Sequence, residues 1–383
     1  MLLFLCSDLN ISIGQFLLSI KYLGTIIGPD SLDASWNQVL CDYLATSRFI
    51  ASLSCGLLTK VSLYNMLAIA KLSYIASFLP LNVAAFRAEN RALQTLCRGP
   101  WNAIPPNLLK SVKQIGMPAQ ATDLNILAIA SKVRIAHVTS QNIFAKSNEI
   151  DNVYNGFDIV LRYLDYKLCN STCIKSICQA YSDFASSNDI RALGDFSQQK
   201  VYKKLWGQRT PFCFKGFVSL KAKRILGEAP NDSQINKVIA GYVFASSKSF
   251  ALTFTHIRAI SNHWCTRSRF GSKFKGCVFS CGNETDNIKH TCVCGNFWSS
   301  FFKVADITPF PISLERIVVF SHNSILINDN EIYTILIGLH ICFLCFNACR
   351  HGKSLSDRLI QHHLSHFMRL HHKASAVLRA LRG

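Results

Sequence analysis

The chain has 383 residues, of which 49% are hydrophobic and 11% aromatic. This composition excludes an intrinsically disordered chain, because enough apolar surface is available to offset the chain entropy lost on folding, and the length allows two or three domains. Lys and Arg number 41 against 22 Asp and Glu, so the net charge is +19. Such a charge favours a polyanionic partner, nucleic acid or an anionic membrane surface, over a small-molecule substrate; the alternative is a basic surface that is only solvated.

The cysteines and the N-terminus indicate the compartment. Sixteen cysteines are present, mostly at irregular spacings, in a chain larger than the usual disulfide-stapled domain. The apolar start Met1–Leu5 is too short for a cleavable signal peptide, lacks a basic beginning and is soon followed by Asp8. We expect a reducing compartment, nucleus or cytoplasm, and not a secreted protein.

The first part of the chain shows helical spacing of apolar residues. Residues 34–78 carry two such stripes, separated by a break at Gly56. Further helices are predicted over Val83–Cys97, which Gly99 and a proline close, and over Leu124–Val138. We therefore predict a mainly α fold that begins with a compact helical bundle. The pattern weakens from residue 141 to about 190.

A basic segment with interleaved aromatic residues follows between residues 200 and 224. Cations can contact phosphates while aromatic rings stack on bases, so this segment is a candidate nucleic-acid groove. Its candidate residues are Lys203, Lys204 and Trp206. The alternative is a basic helix face whose aromatic residues belong to the core.

Soft metal ligands recur at short spacing around a glycine turn between residues 277 and 294. Two pairs with three intervening residues, Cys277 with Cys281 and His290 with Cys294, can supply the four tetrahedral ligands of zinc. We predict a structural zinc site there, with Cys292 as a spare or substitute ligand. The alternative is a set of ordinary buried thiols.

The last eighty residues are predicted to be helical. The apolar stretch Ile332–Ala348 is at the low edge of the membrane-spanning range, and its central His340 favours a buried helix over a membrane anchor. Ser354–Gly383 resembles a basic amphipathic helix able to contact phosphate. Its histidines are a neutral helix face or, as the alternative, metal ligands.

Several segments resemble the region just after the polymerase active site in LINE-type (non-LTR) retrotransposon reverse transcriptases, and the Cys/His stretch, with Gly282, Glu284 and Thr285, resembles the zinc-binding domain of that family. The segments are Lys21–Pro29, Trp36, Arg48–Leu53, Lys60–Met66, Arg98–Pro105 and Leu127–Ala136.

The resemblance implies the following division: a palm and primer-grip remnant (1–30), a helical thumb-like domain (31–140), a basic and aromatic connector (141–250), a zinc-binding unit (251–305) and C-terminal helices with a basic tail (306–383).

The resemblance also implies nucleic-acid contacts. Tyr22, Leu23 and Gly24 would belong to the primer-grip hairpin. A thumb packs helices against the duplex minor groove without reading sequence, and its candidate cations, each with a solvated surface cation as the alternative, are Arg48, Lys60, Arg87, Arg91 and Lys110. The implied partner is RNA, DNA or both, and the zinc unit would help bind template RNA or target DNA.

The aspartate turn that polymerisation requires is missing from this sequence. Reverse transcriptases hold two Mg²⁺ ions with an aspartate triad, two of them in a Tyr/Phe-Ala-Asp-Asp turn upstream of the primer grip. We therefore expect no Mg²⁺ site and no polymerase activity in this chain, and read it as a nucleic-acid-binding C-terminal fragment. The alternatives are the C-terminal end of a longer RNA-directed DNA polymerase that carries the palm and fingers, and a membrane-anchored basic protein.

Overall fold

The computed structural model of the chain describes residues 20–22, 25–27, 31–97, 103–145, 172–188, 197–266 and 276–371. Within them the protein is mainly α-helical, as predicted. Contacts divide the chain into two compact units. Unit 1 comprises residues 1–54, 59–96 and 121–210, and unit 2 comprises residues 55–58, 97–120 and 211–383. This division follows packing and not chain order, and the five-part division made from the sequence stays a prediction.

Helices account for nearly all of the regular structure. In chain order the elements are β1 (Ile20–Tyr22), β2 (Thr25–Ile27), α1 (Ser31–Ser52), α2 (Leu57–Leu63), a π-helical turn (Tyr64–Ala68), α3 (Ile69–Phe78), α4 (Val83–Cys97), α5 (Pro106–Leu109), a 3-10 turn (Val112–Ile115), α6 (Leu124–Ala145), α7 (Thr172–Ser187), α8 (Gln198–Gln208), α9 (Phe214–Leu226), α10 (Asp232–Lys248), α11 (Phe250–Ile260), α12 (Ile288–Val293), α13 (Gly295–Ala305), α14 (Leu314–Val319), β3 (Ser321–His322), β4 (Ile325–Leu326), α15 (Asp329–Arg350) and α16 (Asp357–Leu370).

The helix predictions for the first part of the chain are confirmed. Helix α4 spans the predicted Val83–Cys97, and α1 and α2 are separated around Gly56. Helix α6 starts at the predicted Leu124 but continues to Ala145. Helix α7 was not predicted, although Cys178, Tyr181 and Phe184 are buried residues at three-residue spacing. Helix α16 spans Asp357–Leu370, so the predicted helix starts three residues too early and His371 is not helical; residues 372–383 of the prediction lie outside the described residues.

The core of unit 1 forms around α6, which packs against α3, α7 and α8. Small residues on α6, Ala130 and Ala136 among them, let the neighbouring helices approach closely, and Phe184 and Val201 fill the space between them. At the other side of the unit, the hydroxyls of Tyr43 on α1 and Tyr64 in the π-helical turn are 2.9 Å apart in a buried contact. Each of these helices therefore has one face buried inside unit 1.

Helix α15 is the central element of unit 2. It packs against α10, α11, α13 and α16, and a helix that is apolar on all sides belongs in such a core. Asn328 starts it by accepting a hydrogen bond from the backbone N–H of Glu331 at 2.9 Å. Most residues from Ile332 to Cys349 along the helix are buried, as predicted for Ile332–Ala348.

Two described helical segments are long and apolar enough to cross a membrane. They are Leu57–Phe78, with 39% of its apolar window buried, and Asp329–Arg350, with 72% buried. Core helices of folded proteins pass the same test of length and composition. The second segment packs inside unit 2, so its apolar character is accounted for by the core.

Candidate metal centre

The first two predicted ligands lie in a tight turn of unit 2. The backbone N–H of Gly276 donates to the carbonyl of Glu284 at 3.0 Å, and that of Cys277 donates to the carbonyl of Asn283 at 2.8 Å. The chain thus doubles back over residues 276–284. Ser280 (φ 53°) and Gly282 (φ 83°) have left-handed backbone conformations that make the reversal possible. The turn brings Cys281 back beside Cys277.

The other two ligands are positioned by consecutive helices. Asn287 caps α12 by accepting a hydrogen bond from the backbone N–H of His290 at 2.9 Å, which fixes His290 in the first turn. Cys294 ends α12 and immediately precedes α13, whose Phe297 and Trp298 N–H groups bond to its carbonyl oxygen. Both ligands are therefore held by helix ends and not by a flexible loop.

The four predicted ligand atoms converge. The Sγ atoms of Cys277 and Cys294 are 3.9 Å apart, and the Sγ of Cys281 lies 3.1 Å from Nε2 of His290. All four ligand atoms lie within 4.8 Å of one another. A tetrahedral zinc ion with Zn–S bonds of about 2.3 Å places two sulfurs about 3.8 Å apart. The donor set and its spacing fit zinc, and this group can hold such an ion.

The thiols of Cys277 and Cys294 shift each other's pKa. The hydrogen bond from the Cys277 thiol, together with backbone N–H groups at the start of α13, lowers the pKa of Cys294 to about 5. The same hydrogen bond and burial raise the pKa of Cys277. One thiolate is therefore already favoured at neutral pH, which suits a metal ligand because the thiolate is the form that binds.

The structure distinguishes Cys294 from Cys292, which the sequence left open. Cys292 is not one of the converging residues. It is buried in apolar surroundings, which raise its pKa to about 12. Residues two apart on a helix do not share a face, so Cys292, two residues after His290 in α12, cannot turn toward the same ion.

Aromatic side chains of the cysteine turn and of α13 pack against one another. Phe279, within the cysteine turn, stacks on Phe297 of α13 with ring centres 5.7 Å apart. The Nε1 of Trp298 donates to the carbonyl of Cys292 at 2.7 Å. The four converging residues Cys277, Cys281, His290 and Cys294, hereafter the metal group, are thereby connected to the core of unit 2, because Trp298 lies against α15 at Gly338.

Five of the predicted nucleic-acid-contacting cations are exposed in unit 1. They are Arg48 on α1, Arg87 and Arg91 on α4, and Lys203 and Lys204 on α8. None of them forms an ion pair with a carboxylate of the described chain. Arg87 and Arg91 are four residues apart and therefore share one face of α4.

Two of the predicted cations are placed differently and require a correction. Lys60 is 3% exposed, and its Nζ donates a hydrogen bond to the carbonyl of Ala51 at 2.8 Å. Lys110 is 4% exposed, next to the buried Leu109. A phosphate contact requires an ammonium group at the surface, so these two lysines are better described as interior residues. Lys60 lies four residues before the buried Tyr64, so the two residues share one helix face. This spacing is the sequence signal that could have indicated the burial of Lys60.

The aromatic candidate Trp206 packs against its own chain. Its ring lies parallel to that of Tyr202, with centres 6.1 Å apart, and the guanidinium of Arg209 lies 4.8 Å from its centre. Arg209 is in turn held by Asp123, with an N–O distance of 3.3 Å. This favours the alternative in which the aromatic residues of the segment serve packing.

Of the predicted primer-grip residues, the structure describes Tyr22, which ends strand β1. Strands β1 and β2 pair antiparallel, with Tyr22 opposite Thr25. Leu23 and Gly24, between the strands, lie outside the described residues. The assignment of these residues to a primer grip stays a prediction.

Comparison of the chain with models of known protein families, with curated proteins and with solved structures finds no match. The resemblance to LINE-type reverse transcriptases therefore depends on the segments quoted above and stays a prediction. What the described residues establish is a mainly α-helical protein with a Cys3His group able to hold a metal ion.

Proposed function

We propose that this protein is a nucleic-acid-binding, zinc-stabilised C-terminal part of a LINE-type reverse transcriptase. It lacks the catalytic palm, and it binds a template–primer duplex or target DNA in the nucleus or cytoplasm. The sequence resemblance supplies the family, the Cys3His group supports the zinc unit, and the surface charge of unit 1 supports the polyanionic partner.

The surface charge of unit 1 is the observation that carries the proposal. Among its described side chains, the exposed cations are Arg48, Lys71, Arg87, Arg91, Arg134, Lys175, Lys200, Lys203 and Lys204. The exposed carboxylates are those of Asp42 and Asp183, while Glu89 and Asp123 are buried. In this described part of the unit, exposed cations outnumber exposed anions, and such a surface attracts the phosphates of a nucleic acid.

The buried acids show why this excess of positive charge is not balanced locally. Glu89 accepts a hydrogen bond from the backbone N–H of Leu124 at 2.8 Å, and Asp123 caps α6 and pairs with Arg209. These carboxylates hold the helices together and do not neutralise the surface cations. The described part of the unit therefore presents an excess of positive charge to solvent.

Zinc has a structural role in this proposal. So short a segment as residues 276–294 buries little surface by itself, and a bound ion supplies the missing stabilisation. We expect no Mg²⁺ site, because the aspartate turn of the family is missing from this sequence. The chain should give no primer extension with Mg²⁺ and deoxynucleotides. Extension by the purified protein would favour the description as a polymerase.

Binding to labelled duplexes, measured by fluorescence anisotropy at several salt concentrations, tests the proposal. We expect affinity for an RNA–DNA duplex or a DNA duplex to fall by orders of magnitude between about 50 and about 200 mM salt, as several released counterions require. The paired substitution Arg87→Gln with Arg91→Gln should weaken binding and reduce the salt slope by about 1 for each phosphate that is no longer bound.

Two controls separate a defined surface from diffuse attraction. Asn90→Gln changes an exposed residue between the two arginines without changing charge, and should bind as the unchanged protein does. Lys223→Gln with Arg224→Gln removes the same charge from exposed positions on α9 of unit 2. If both charge-removing pairs weaken binding equally, the unit 1 surface has no special role, and an affinity that does not depend on salt would exclude phosphate binding altogether.

A further inference from the structure

The four ligands of the metal group are not equally exposed. Cys277 and Cys294 are buried, whereas Cys281 and His290 are half-buried. The residue after Cys281 is the exposed Gly282, and a methyl group added there would meet nothing within 4 Å. One sulfur-bearing residue of the group is therefore accessible from solvent, and the other two lie behind it.

The three sulfurs of the metal group are close to one another. The Sγ atoms of Cys277 and Cys294 are 3.9 Å apart, and the Sγ of Cys281 lies within 4.8 Å of both. A zinc ion holds two thiolate sulfurs about 3.8 Å apart, whereas a disulfide bond joins two sulfurs at about 2.0 Å. A movement of about 2–3 Å therefore separates the ion-holding arrangement of two sulfurs from a disulfide between them.

A zinc ion bound to this group depends on all four of its ligands. A disulfide between two of the cysteines would leave one thiolate and His290, and two ligands do not complete the four-coordinate site that structural zinc requires. Cys292 cannot replace a lost ligand, because it is not among the converging residues. A disulfide within the metal group is therefore incompatible with a bound zinc ion.

We propose that Cys281 is an oxidation site for a hydroperoxide, and that its oxidation closes a disulfide with Cys277 or Cys294 and releases the zinc ion. The exposure of Cys281 in front of two buried cysteines and the short distances among the three sulfurs carry this inference. It rests on the zinc ion of the proposed function and does not depend on nucleic-acid binding. The metal group is then a reversible redox switch as well as a structural support.

The reaction balances with a hydroperoxide as the oxidant. The Cys281 thiolate attacks a peroxide oxygen, so that an S–O bond forms, the O–O bond breaks, and the leaving oxygen takes a proton from water. A neighbouring thiolate then attacks the sulfur of the sulfenic acid, an S–S bond forms, and hydroxide leaves and is protonated to water. In total, two thiolates, one hydrogen peroxide and two protons give one disulfide and two waters, and two electrons pass from sulfur to oxygen.

Treatment of the zinc-loaded full chain with hydrogen peroxide tests the inference. A chromogenic chelator measures the released zinc, and peptide mapping by mass spectrometry identifies the oxidised cysteines. We expect release of about one zinc ion per chain, a disulfide from Cys281 to Cys277 or Cys294, and renewed zinc binding after reduction with dithiothreitol. Zinc that is retained, or that is released while Cys281 stays reduced, would overturn the inference. A protein that neither contains nor takes up zinc would instead contradict the zinc site itself, and this inference with it.

Variants identify the sulfur responsible. Cys281→His keeps a zinc ligand but removes the oxidisable sulfur, so under peroxide it should lose zinc at least about tenfold more slowly than the unchanged protein. Cys41→Ser removes an exposed thiol of α1 outside the metal group and is the control, which should release zinc at the unchanged rate. Equal rates in the two variants refute the role of Cys281.

A second measurement applies if Cys281→His does not bind zinc. Dimedone traps sulfenic acids, and brief peroxide treatment of the unchanged, zinc-loaded protein in its presence shows which cysteine of the metal group reacts first. Cys281 should be labelled before the other two. Earlier labelling of Cys277 or Cys294 refutes the inference.

Discussion

Gly338 of α15 is the position at which the contact between the metal group and the core can be tested most directly. A methyl group added there would overlap Cζ3 and Cη2 of Trp298 and lie 3.1 Å from Cε1 of Phe301. Trp298 is 3% exposed and belongs to α13, the helix that begins after the ligand Cys294. Gly338→Ala therefore forces the indole away from α15.

The cost of this substitution follows from the geometry. The indole must move by about 1 Å to restore ordinary carbon–carbon contact, in a core that packs closely. Overpacking of this kind destabilises by about 1–3 kcal/mol, and the displacement strains the Trp298 hydrogen bond to Cys292, which contributes about 1 kcal/mol. The better helix propensity of alanine returns about 1 kcal/mol. We expect a net loss of about 1–3 kcal/mol.

Denaturant unfolding with zinc present measures this loss of stability. A double-mutant cycle then tests whether the loss comes from the contact between position 338 and Trp298. Trp298→Phe removes the overlapping atoms but leaves a cavity in the core. We therefore expect this substitution alone to lower the free energy of unfolding by about 2 kcal/mol. The double variant, Gly338→Ala with Trp298→Phe, should lose about 1–2 kcal/mol less stability than the two single variants lose together. Gly207→Ala in α8, where an added methyl group meets nothing within 4 Å, is the control and should be neutral or stabilising.

The outcome that refutes this reasoning is specific. If Gly338→Ala unfolds at the midpoint of the unchanged protein, or if the two substitutions are simply additive, Trp298 does not rest on the backbone of α15. The metal group would then be attached to the core of unit 2 by other contacts.

Three further predictions concern the metal group and the core. Cys277→Ser should abolish stoichiometric zinc in metal analysis of the purified protein, whereas Cys292→Ser should retain it; equal zinc in both would contradict the ligand assignment. Gly282→Ala should lower stability by about 1–2 kcal/mol through its left-handed backbone alone, because an added methyl group meets nothing within 4 Å, and Gly295→Ala, at a position without that conformation, should not. Burial lowers the pKa of His256 to about 4, so its neutral form is favoured in the fold. The contribution of His256 to the free energy of unfolding should be constant above about pH 6.5 and fall by about 3 kcal/mol toward pH 4, as measured by urea unfolding, and a flat profile below pH 6.5 would exclude this linkage.

The sequence alone determined the long helices of the first part of the chain, with α7 as the exception, and the composition of the metal group. Helix α4 was predicted with its observed ends because its apolar residues recur at helical spacing and Gly99 closes it. The ligands Cys277, Cys281 and His290 were identified because soft donors at short spacing around a turn have few other purposes. These features are local, so residue order is sufficient to specify them.

Tertiary structure decided everything that depends on which way a side chain faces. Lys60 and Arg87 are both cations in predicted helices, yet one is buried against Ala51 and the other is exposed. Cys294 rather than Cys292 completes the metal group because α12 has a particular rotation relative to the cysteine turn. A composition or spacing rule cannot separate such pairs, since burial depends on packing between elements that are distant in the chain and not on the local pattern of residues.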